Sequence, residues 1–123
     1  MGISRVALLL MRIAAAVQII LGIGFWTGHW TQAIPLHRTI GMVFVLLLWI
    51  IAGIAIAKRA NIGLAAFAII WGLVIAGFGF AQQSILVGGA HWIVRVAHLV
   101  IALSALPFAE RLGRVPVKTA QGG

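Results

Sequence analysis

"HRTIGMVFVLLLWIIAGIAIAKR", residues 37–59, decides the fold. Between Arg38 and Lys58 it holds no charged side chain. A helix that crosses a membrane needs about 20 mainly apolar residues, and residues 38–57 supply them. Working outward, three more segments meet the same requirement, at about 6–27, 62–82 and 90–110.

The composition agrees. Of the 123 residues 63% are hydrophobic and 8% are charged, with a mean hydropathy of +1.18. A soluble domain is nearer half apolar and about one quarter charged, and a small core cannot hide such an excess. The expectation is an integral membrane protein. The chain holds no cysteine, so disulfides, thiolate metal sites and thiol catalysis are excluded. The N-terminal run does not read as a cleaved leader, because Arg12 interrupts "VALLL" and the apolar stretch then continues to Gly24.

The formal charge of +8 comes from nine Lys/Arg against one acid, Glu110. In a membrane chain a basic excess reads as a topology signal and as contact with anionic lipid, not as a nucleic-acid surface. Short connectors make neighbouring spans antiparallel. Arg5, Arg12, Lys58, Arg59, Arg111, Arg114 and Lys118 then share one side, and only Arg38 and Arg95 lie on the other. Lys and Arg concentrate on the cytoplasmic side. The expectation is an all-α, single-domain bundle over 1–123, up-down-up-down, with both termini cytoplasmic and a polar tail at 114–123. A bacterial cytoplasmic membrane is the expected location. Trp26, Trp30 and Trp92 suit an outer aromatic belt, while Trp49 and Trp71 lie deeper.

In this topology all four histidines, His29, His37, His91 and His98, fall in the outer half. Spans 2 and 4 run in the same direction and sit diagonally across the core. On span 4, His91, Arg95, His98, Ala102 and Ala105 share one helical stripe, with Ile93, Val96, Val100 and Leu103 opposite. Span 2 aligns His37, Gly41, Phe44, Leu48 and Ala52, and span 1 aligns Ala15, Gln18, Gly22 and Phe25. Span 3 is rich in small residues at Gly72, Ala76, Gly77 and Gly79. Small-residue stripes suit close helix packing. An ionisable group inside a span is costly and usually faces a cavity or a partner. His98 and Arg95 therefore call for something inside the bundle.

Haem b answers that need. Its iron takes imidazole, and two histidines leave no open position, which suits electron transfer. Diagonal parallel helices offer ligands from opposite sides of a flat ring. A small residue such as Gly41, one turn below His37, lets a macrocycle approach the backbone. Anionic propionates need cations, and Arg38 and Arg95 are the outer-side cations.

"HRTIG" at 37–41 resembles the His-x-x-x-Gly segment of four-helix membrane b-type cytochromes. These are the cytochrome b561-like proteins, the haem-anchoring subunits of succinate dehydrogenase and one half of haem A synthase. The resemblance covers the hydropathy pattern of most of the chain. It implies that His37 and the His98 of "RVAHLVIAL" are the axial ligands, and hence the metal ligands, of one haem near the outer side. No second histidine pair lies toward the cytoplasmic side, so a two-haem path is not expected. The implied task is one-electron transfer, with a quinol or an outer-side redox partner.

Depth counting complicates the pair. His37 precedes Lys58 by about 21 residues, or roughly 31 Å of helix. His98 precedes Arg111 by about 13, or roughly 20 Å. On that count His91 is a substitute for His98, although Pro107 is expected to bend span 4. Other classes stay open: an accessory or structural subunit of a larger membrane complex, a histidine-based proton or ion conductor, and a Zn or Cu site on all four histidines. A homo-oligomer is compatible with each. A small drug exporter is disfavoured, since spans 1 to 3 hold no carboxylate. Glu110 is expected to pair with Arg111 or Arg114. Nothing in the sequence specifies a stand-alone enzyme, and no constellation for hydrolysis surrounds Ser4, Ser84 or Ser104.

Overall fold

The computed structural model describes residues 2–84 and 88–114. The chain is all-helical there. Its helices are α1 (Ile3–Trp26), α2 (Ile34–Ala57), α3 (Ile62–Ala81), α4 (His91–Leu103) and α5 (Ala105–Arg114), with short 3-10 turns at Thr31–Ala33 and Gln82–Ser84. Four helical stretches are long and apolar enough to cross a membrane; the last, His91–Gly113, contains both α4 and α5. The tail beyond Arg114, including Lys118, lies outside the described residues.

Local chemistry sets the boundaries. Gly28, with φ of +82°, takes the chain out of α1, and the His29 amide donates back to the Gly24 carbonyl at 2.7 Å. Helix α2 begins one turn earlier than the sequence suggested, at Ile34. Pro35 sits in its first turn, where its missing N–H costs nothing and its fixed φ suits a helix start. His37 and Arg38 are thus already helical. Asn61 caps α3 by accepting from the Leu64 amide at 3.4 Å.

The fourth span, where Pro107 leads one to expect a bend, is broken into two helices. Helix α4 ends at Leu103 and α5 starts at Ala105. Pro107 explains the position: a proline removes the hydrogen bond to the carbonyl four residues earlier and clashes with it, and that residue is Leu103. The break is bridged by polar groups. The Trp71 indole of α3 donates to the Ile101 carbonyl (3.1 Å) and to Ser104 Oγ (2.8 Å). Ser104 Oγ itself donates to the Ile101 carbonyl at 2.6 Å.

The core occupies one end of the bundle. Met11, Leu48, Ile51, Leu112 and Val45 are its largest fully buried side chains. It is built from α1, α2, α3 and α5, with Ala65, Ala68, Ala105 and Ala109 letting the helices approach. Trp49 of α2 donates to the Ile69 carbonyl of α3 at 3.1 Å, and Gly72 makes room for its indole, because an added Cβ there would overlap the ring. Helix α4 reaches this core only at its end, where Ile101 and Ala102 pack against it. It packs on α3 and α5 and, among the described residues, makes at most a slight contact with α1.

The charges at the core end follow the fold. Glu110 on α5 receives a two-pronged pair from Arg12 on α1, with Nε and Nη2 donating to Oε1 and Oε2 at 2.7 Å each. Arg12 was not among the partners the sequence suggested; it meets Glu110 because α5 packs back onto α1, which a search among neighbours in sequence does not reveal.

Candidate functional site

A cavity of about 380 Å³ takes the place of the core at the other end of the bundle. The helical stripes run continuously from one to the other. On α2, His37, Gly41 and Phe44 line the cavity, while Leu48 and Ala52 below them are fully buried. On α1 the cavity takes Ala15, Gln18, Gly22 and Phe25. On α4 it takes His91, Arg95, His98 and Ala102, with Ala105 fully buried beyond the break. Leu103, expected on the lipid side of span 4, lines the cavity as well, because the helix ends there.

The residues singled out from sequence are brought together: His37, Arg38, Gly41, His91, Arg95 and His98 all line this cavity. His29 does not line it. Its Nδ1 lies 3.0 Å from Thr27 Oγ1 in the connector. Among the described residues no group of three or more His, Asp or Glu is gathered as a metal would require. A site on all four histidines is therefore not assembled.

The His37 and His98 rings lie with centroids 6.5 Å apart and planes inclined at 57°. Depth counting had set them apart by treating Lys58 and Arg111 as markers of one plane; the bend expected from Pro107 is a full break at Ser104, so residue counts along span 4 do not measure depth. Each ring is half-buried and braced by an aromatic neighbour. Phe25 meets His37 edge-on at 5.3 Å, and Phe78 stacks on His98 at 6.0 Å and 8°. Gly79 lies under His98; a Cβ there would stand 3.4 Å from Cε1.

Both imidazoles have unmet polar capacity. Nδ1 of His37 and Nδ1 of His98 are buried without a hydrogen-bond partner, as is Oε1 of Gln18. Buried polar atoms are nearly always satisfied, and exceptions in native structures call for an explanation such as an ion or another group at the site. Charge points the same way. Arg38 and Arg95 line the cavity and no carboxylate does, so the charge around the cavity is positive.

Gln18 is the residue that sequence reasoning undervalued. Its Nε2 donates to the His37 carbonyl at 2.8 Å, which ties α1 to the turn that carries the histidine. The space beside Gly41 is what admits it, since a Cβ on Gly41 would stand 3.1 Å from Nε2. That space had been read as room for a macrocycle. The signal was present in the shared stripe of Gln18 on α1, but its partner was a backbone atom and left no mark in the sequence.

Comparisons with protein-family models, with curated proteins and with solved structures returned no match.

Proposed function

We propose that this chain is a membrane-embedded b-type cytochrome that carries one haem in the cavity, held by His37 and His98. The observation that carries the reading is the 6.5 Å separation of the two imidazole centroids. A metal lies about 2 Å from a ligating imidazole nitrogen, hence about 3 Å from the ring centroid. Two imidazoles on opposite sides of one iron have centroids about 6 Å apart. The orphaned nitrogens, the pair of arginines and the absence of a lining carboxylate are the further support.

Haem would supply a one-electron couple, and His37 and His98 are the residues that would hold its iron. The protein's own part is positional. Gln18 fixes the backbone at His37, Phe25 and Phe78 hold the two rings, and Arg38 and Arg95 would meet the propionates. The chain lies up-down-up-down in a bacterial cytoplasmic membrane, with both termini cytoplasmic and the cavity toward the outer side, as the distribution of Lys and Arg argues. A quinol or an outer-side protein serves as electron partner, and the chain works as a carrier or as a subunit of an oxidoreductase complex.

A histidine-based conductor needs a path through the bundle. Met11, Val45, Leu48, Ile51 and Leu112 fill the core with almost no exposure, which favours a bound cofactor over a conducted ion. Titration of the purified chain with haemin tests the proposal. Binding should saturate at one haem per chain, and the variant His37→Ala with His98→Ala should bind none in the same manner.

A further inference from the structure

The walls of the cavity are unequal. At the core end, α5 seals the bundle against α1, α2 and α3, and the Arg12–Glu110 pair clips it to α1. At the cavity end, α4 stands on α3 and, among the described residues, makes at most a slight contact with α1. Four large apolar side chains line the cavity and are also open to the surroundings, Ile23 and Trp26 of α1, Phe80 of α3 and Leu99 of α4; of these, Ile23 (58% exposed) and Leu99 (39% exposed) stand on the two helices that flank the gap. Both are apolar, and both lie in stretches long and apolar enough to sit in hydrocarbon. Arg38 and Arg95 are themselves exposed and complete the lining of the same cavity.

We infer that the cavity opens sideways between α1 and α4 and takes its haem from the bilayer through the gap flanked by Ile23 and Leu99. The inference rests on the haem reading for the identity of the guest, but the opening is a property of the fold. Chemistry suits the route. Haem is a flat apolar body with an acidic edge, so it partitions into lipid with its carboxylates toward the headgroups. An apolar slot passes the body. Arg38 and Arg95, the cavity's only arginines, receive the acids. Entry from water at the connector end would instead drag an apolar ring past charged side chains. Gly22 is the inner marker of the route: it lines the cavity, and a Cβ built there meets nothing within 4 Å.

The natural absence of cysteine makes the test clean. The full chain carrying Ile23→Cys and Leu99→Cys is placed in lipid nanodiscs, tied with a short bis-maleimide, and offered haemin from donor vesicles. Each single-cysteine variant, treated with the same reagent, is the control. Tying should slow haem uptake by about tenfold or more, because entry then needs a rearrangement of the bundle. Tying after loading should leave the bound spectrum unchanged. In parallel, a nitroxide on Gly22→Cys in the haem-free protein should be relaxed by oxygen, which dissolves in lipid, and not by a water-soluble nickel chelate. Uptake by the tied protein at the untied rate would overturn the inference, as would relaxation of the Gly22 label by the nickel chelate. If the untied protein takes up no haemin, the haem reading fails, and the nitroxide comparison alone decides the opening.

Discussion

His37 and His98 come from helices with at most a slight backbone contact among the described residues, yet their rings lie 6.5 Å apart across a shared cavity. Such a pair in a filled core would be an expensive choice, since each ring buries an unsatisfied Nδ1 and an unpaired buried polar atom costs about 1–3 kcal/mol. A ligand that satisfies both rings removes that cost. The relationship is therefore more economical as a binding site than as packing.

Gly79 sets the position of one ring. An added Cβ already stands 3.4 Å from His98 Cε1, so Gly79→Leu should displace the ring and weaken haem retention. Gly77→Leu, on the same helix with nothing within 4 Å of an added Cβ, should retain haem like the parent. Gel filtration with absorbance read at the haem and protein bands compares the two. Equal retention would dissociate Gly79 from the site.

Gly72 and Gly53 separate packing from propensity. A methyl group at Gly72 would overlap the Trp49 indole and disturb its bond to the Ile69 carbonyl. Overpacking of this kind costs about 1–3 kcal/mol, so Gly72→Ala should lower the unfolding midpoint clearly. An added Cβ at Gly53 meets nothing within 4 Å, and Gly53→Ala should stay within about 1 kcal/mol of the parent. Unfolding of both in one detergent, followed by circular dichroism, gives the comparison.

The hydropathy pattern carried the four spans, and the 3.6-residue period carried the stripes. Both are properties of a helix alone. The same logic picked out the cavity residues on α1, α2 and α4, because a side chain too polar for lipid must point inward wherever the helix lies. What stayed hidden depends on which helix meets which. Arg12 and Glu110 are separated by 98 positions, and nothing local links them. Trp49 fitting over Gly72, and Gln18 reaching the His37 carbonyl past Gly41, need the packed pair of helices before either partner has meaning. The break at Ser104 lay between these cases: Pro107 announced a bend, but the single indole N–H that bridges it comes from Trp71 of α3.

Arg12 and Glu110 should behave as one unit. Arg12→Gln and Glu110→Gln are each expected to lower the thermal midpoint by loosening α5 from α1. The double variant should fall by less than the sum of the singles, because groups in direct contact couple. Strict additivity in a double-mutant cycle would mean that the clip contributes nothing.

The most direct measurement is the reduced-minus-oxidised optical spectrum of the haemin-reconstituted chain, taken beside its His37→Ala, His98→Ala and His91→Ala variants. The account predicts sharp α and β bands of a low-spin, bis-histidine haem in the parent and in His91→Ala, and loss of that signature in both His37→Ala and His98→Ala. Bands that survive His98→Ala but vanish with His91→Ala, or no bound haem in the parent, would contradict it.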